Sequence, residues 1–162
     1  MRINQLQELR KVHLEIMDRS IQDSYEDIQN SEAMLLDAMK KVLELRKLVR
    51  MQGLLALEDA VSDITLDSSE EQLKHLIILV TDGTDPDVLL GIGMTRYYAN
   101  LYTDYSALRY FIYLEGALSI QAGDNPRVLE EKLKVMLPHN LYLKISGEQA
   151  ADLVREYTDS DN

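Results

Sequence analysis

Aspartates and histidines are the side chains most able to do chemistry in this sequence, and their spacing argues against it. Asp82, Asp85 and Asp87 crowd one short segment and are the acids best placed to hold calcium. An EF-hand loop opening at Asp82 needs oxygen ligands at residues 84 and 86 and a Glu at 93. Those positions hold Thr84, Pro86 and Gly93, so turn and cap roles account for the acids better. His13, His75 and His139 are far apart and lack the spacing of metal ligands. Gly91-Ile92-Gly93 lacks the third glycine of a phosphate loop and has no strand directly before it. There is no cysteine, which removes disulfides, thiolate nucleophiles and cysteine-zinc sites together. No Ser, His and Asp set stands out. The expectation is a protein that is not an enzyme, with no catalytic, cofactor or metal residues.

Tyr97, Tyr98, Tyr102, Tyr105, Tyr110 and Tyr113 form a more distinctive group. Several lie three or four residues apart, at helical neighbour spacing. Tyrosine couples a large apolar ring to one polar handle, which suits an interface. The same spacing also suits a core, so both roles stay open.

The elements that must position these residues read as helices. Residues 1–52 contain neither Gly nor Pro, the two residues most costly in a helix interior. Leu14, Ile21, Ile28, Leu35, Val42 and Val49 recur every seven residues. The second row of a coiled-coil seam is interrupted at Ser24 and Ser31. The pattern predicts a long amphipathic helix or helical hairpin over 1–50, with a possible break and new N-cap near Asn30-Ser31. Asp85-Pro86 and Asn125-Pro126 each pair a capping side chain with a proline suited to a first helical turn. Ser69 is the expected cap of a helix running to about Val80. Another helix is expected over Ser106 to Gln121, and a short one from about Gly147 to Tyr157 before an acidic tail. Leu76-Ile77-Ile78-Leu79-Val80 is the ambiguous stretch, because a short apolar run fits a buried strand as well as a helix.

Composition sets the outer limits. Apolar residues make up 46%, enough for a core. The formal charge is −11, and all of that excess lies in residues 51–162, since residues 1–50 balance nine basic against nine acidic side chains. An acidic body disfavours nucleic-acid and anionic-membrane partners. No apolar stretch approaches the roughly 20 residues of a membrane span.

Two segments carry a family likeness. The first is Arg50-Met51-Gln52-Gly53-Leu54-Leu55-Ala56-Leu57-Glu58, followed by Leu79-Val80-Thr81-Asp82-Gly83-Thr84-Asp85-Pro86. The second runs from Glu115-Gly116-Ala117-Leu118-Ser119-Ile120-Gln121 through Ala122-Gly123-Asp124-Asn125-Pro126 to Arg127-Val128-Leu129-Glu130-Glu131-Lys132-Leu133. Both resemble MotA-type flagellar stator subunits, over roughly half the chain from Leu45 to Pro138. In that family they are cytoplasmic parts, with two membrane helices between them. Here only 28 residues separate Pro86 from Glu115, most of them too polar or too Tyr-rich to span. The resemblance therefore implies a cytoplasmic protein without the ion channel. It also implies a rotor-facing surface, made in the family by a basic residue three positions before the Gly and a Glu five after it. Arg50 and Glu58 occupy those positions around Gly53, and Lys47 would add positive charge. Eight residues apart, Arg50 and Glu58 are expected to share one helix face.

The expectation is a single all-α helical domain over 1–162, divided into the amphipathic region 1–50, the MotA-like segments 51–138, and a C-terminal helix and acidic tail over 139–162. It acts through protein contacts, with a flagellar rotor switch protein as the implied partner. Self-association through the apolar row of 1–50 is also expected, and a structural homo-oligomer with no motor role is the alternative.

Overall fold

The structure is a computed structural model, which describes residues 25–65, 68, 70–102 and 104–146 together with 7, 8 and 11. Among them there are seven helices and no strand. Helix α1 spans Tyr25–Gln52, α2 Ala56–Ser62, α3 Glu71–Thr81 and α4 Pro86–Asn100. Helix α5 spans Asp104–Gln121, α6 Pro126–Lys134 and α7 His139–Ile145. The fold is an all-α bundle.

Helix α5 is its axis. Every residue from Tyr110 to Ile120 is buried, as are Ala107 and Leu108. A helix apolar on all sides has to be surrounded, and α1, α3, α4 and α6 all pack against it. Helix α1 makes the most extensive of these contacts, bringing Leu35, Ala38, Met39 and Val42 into the core. It runs unbroken through Asn30-Ser31, so the break expected there does not form. Leu35 and Val42, two members of the seven-residue row, are thus covered within the same chain. That removes them as reasons for self-association. Leu14 and Ile21 of the row lie outside the described residues.

The ambiguous stretch Leu76–Val80 is helical and belongs to α3. Leu73, Leu76, Ile77 and Val80 are buried at spacings of three, one and three, whereas a strand would alternate. Ser69, its expected cap, lies outside the described residues, and Glu70 occupies the N-cap position. Both proline starts form as the sequence predicts. Asp85 accepts a hydrogen bond from the Asp87 backbone N–H at 2.9 Å, and Asn125 accepts one from Arg127 N–H at 2.9 Å. Helix α7 opens directly after Pro138 and is an element that the sequence reading did not name. The helix and tail expected from Gly147 lie outside the described residues.

Candidate protein-contact site

Gly53 shapes the α1–α2 turn. Its φ of 88° is left-handed, a conformation that glycine adopts without steric cost. Gly53 N–H still donates to Val49 carbonyl at 2.8 Å, closing α1. Leu57 N–H then donates to Leu54 carbonyl at 3.1 Å and Glu58 N–H to Leu55 carbonyl at 3.2 Å, which starts α2. Leu57 and Val61 are buried and fix α2 to the bundle. Arg50 therefore ends one helix and Glu58 begins the next. This corrects the expectation that they share one helix face, since continuous helical spacing does not survive a left-handed residue between them. Both are exposed at the same projecting turn, with Asp59 also exposed and Lys47 half-buried.

A polar cluster underlies this end of the bundle. Arg46, one helical turn before Arg50, is only 9% exposed, and its Nε donates to Asp124 carbonyl at 2.8 Å. Ser119 Oγ donates to Asp124 Oδ2 at 2.5 Å. Lys132 Nζ lies 2.6 Å from Asp124 Oδ2 and 3.1 Å from Glu115 Oε1. Gln121 Nε2 donates to Thr84 carbonyl at 2.5 Å and ties the α5–α6 turn to the α3–α4 turn. The end of α1 is thus fastened to the turns that close the adjacent helices. Arg46 and Lys132 drew no attention as sequence positions.

The remaining chemical candidates take structural roles. Asp85 is a cap, and no group of three or more His, Asp or Glu side chains among the described residues could hold a metal ion. A Cβ at Gly93 would lie 2.6 Å from Leu114 Cδ1, so Gly93 marks close helix packing between α4 and α5. His75 Nδ1 lies 3.0 Å from Arg96 Nη1, and Arg96 also pairs with Glu71. Burial and the neighbouring guanidinium lower the His75 pKa below its ordinary value. No helix among the described residues is long and apolar enough to cross a membrane.

Of the tyrosines, Tyr110 and Tyr113 are fully buried, while Tyr97, Tyr102 and Tyr105 are partly buried against the core and Tyr98 is exposed. Packing is thus the main role of the group. Tyr110 Oη donates to Gly93 carbonyl at 2.8 Å, and its ring lies 5.1 Å from that of Tyr102. Burial raises the Tyr110 and Tyr113 pKa values above the ordinary phenol range. A folded pKa above the unfolded one means that the fold favours the neutral phenol. This stability is complete below about pH 10 and is lost as pH rises further. Alkaline titration followed by circular dichroism is expected to show loss of helix beginning above that value. Tyr110→Phe should reduce the alkaline loss while costing about 1 kcal/mol at neutral pH for the missing hydrogen bond.

The fold and this turn define an all-α bundle with a charged, projecting helix–helix connection. No protein-family model matches the chain, and neither a curated protein nor a solved structure matches it.

Proposed function

We propose that the protein is a MotA-like cytoplasmic protein that works by protein–protein contact, with the flagellar rotor switch protein as its partner. It binds, regulates or helps assemble motor components and conducts no ions. The observation that carries this reading is the joint exposure of Arg50 and Glu58 on either side of the Gly53 turn. These are the two positions singled out by the resemblance to the stator family. The turn offers a cation at the end of α1 and carboxylates at the start of α2, which suits a partner surface of the reverse polarity. Such complementarity governs orientation and association rate more than affinity.

Arg50→Glu combined with Glu58→Lys is the direct test. Binding to purified rotor switch protein should weaken about tenfold or more, mainly through slower association, as like charges face each other. The melting temperature should stay nearly unchanged, because exposed charges contribute about 0–1 kcal/mol to folding. Unchanged binding would refute the reading, and a large fall in melting temperature would make the two charges structural. Self-association is the competing reading, favoured by the exposed Val88 of α4 and Leu101 just after it. Sedimentation equilibrium giving a stable dimer with no affinity for the rotor protein would select it.

A further inference from the structure

The charges at the α1–α2 turn leave its exposed apolar side chains unexplained. Met51 is 68% exposed and Leu55 72%, with Leu54 also open to solvent between them. The other large exposed apolar residues are spread over α3 to α7 and the segments that join them. Among the described residues, only here do three fall within five positions. The turn holding them is fixed at both ends, by the Gly53 bond to Val49 and by buried Leu57. A backbone held in this way loses little conformational freedom when the turn docks, which favours tight contact.

We propose that Met51, Leu54 and Leu55 form an apolar anchor that enters a hollow on the partner protein. That hollow carries a carboxylate on the side meeting Arg50 and a Lys or Arg on the side meeting Glu58. The proposal rests on the reading above, that this turn meets the rotor switch protein, and it assigns the lifetime of the complex to the apolar residues. Apolar anchors surrounded by polar contacts commonly hold most of the energy of an interface. An anionic bilayer is a poorer occupant, because Glu58 and Asp59 adjoin the anchor and the chain carries a net −11.

The test compares the full-length protein with Met51→Gln/Leu55→Gln in binding to purified rotor switch protein, followed in real time. The variant should bind at least about tenfold more weakly, since burying each side chain is worth roughly a factor of ten or more. The loss should appear as faster dissociation with association nearly unchanged, the opposite of the charge-reversed protein. Wild-type binding that the variant retains in full overturns the anchor and leaves the rotor reading standing. Absence of wild-type binding overturns both. Wild-type self-association, or cosedimentation with phosphatidylglycerol vesicles, that the variant loses would assign the anchor to a second copy or to lipid and likewise overturn the proposal. If the double variant melts lower than wild type, Leu55→Ser alone, at an unchanged melting temperature, makes the same comparison.

Discussion

Lys132→Met is expected to lower the unfolding free energy by about 3–5 kcal/mol, the usual consequence of removing one partner of a buried ion pair. Glu115 is 2% exposed and stands in the central helix among apolar neighbours. The Lys132 ammonium reaches both Glu115 and Asp124, so one cation serves a carboxylate from the helix and another from the turn that follows it. Methionine keeps most of the lysine's apolar length and removes only the charge. The carboxylate of Glu115 then remains in the core without that cation. Urea unfolding followed by circular dichroism measures the loss. Adding Glu115→Gln should restore much of it, because the two charges then leave together. A cost below about 1 kcal/mol for Lys132→Met would place the pair with ordinary surface ion pairs and refute this account.

That cluster also marks where sequence spacing stops being informative. The proline-led helices were legible because cap and start are adjacent residues, as in Asp85-Pro86 and Asn125-Pro126. The C-terminal end of α1 was legible because glycine and proline are absent up to Gly53. Glu115 was visible only as the first residue of the second family-like segment. Its cation is 17 positions away on another helix, and nothing local announces that pairing. Proline also opens helices without a capping side chain before it, and α7 begins one residue after Pro138. Arg50 and Glu58, paired by the resemblance, were expected on one helix face and instead stand on two helices. The eight-residue count holds only along an unbroken helix, and Gly53 reverses the sign of φ between them. The exposure of Met51 and Leu55 was not legible at all, because apolar residues beside a helix end suggest packing by default.

Gly116→Val should be strongly damaging to the core, and Gly116→Ala a graded version of it. A Cβ at residue 116 would lie 2.4 and 2.8 Å from the two methyl groups of Val42 and 3.2 Å from its Cβ. Val42 is fully buried on α1, and a β-branched side chain in a helix has essentially one open rotamer. It cannot swing aside, so α1 and α5 must move apart along their main contact. Overpacking of this kind costs about 1–3 kcal/mol for one added carbon, and sometimes more. Alanine would regain up to about 1 kcal/mol of helix propensity, leaving a smaller net loss than valine. Val42→Ala combined with Gly116→Ala should recover part of the loss, with a coupling of about 0.5–3 kcal/mol between the two sites in denaturant unfolding. Additive effects would show that the helices part without strain and would refute the close-approach argument. Gly91 supplies the control, because a Cβ there meets nothing within 4 Å. It stands on the exposed side of α4, so Gly91→Ala should stabilise the protein by up to about 1 kcal/mol through helix propensity alone. Two glycine-to-alanine changes of opposite sign would separate the role of glycine as a helix contact from its intrinsic cost to a helix.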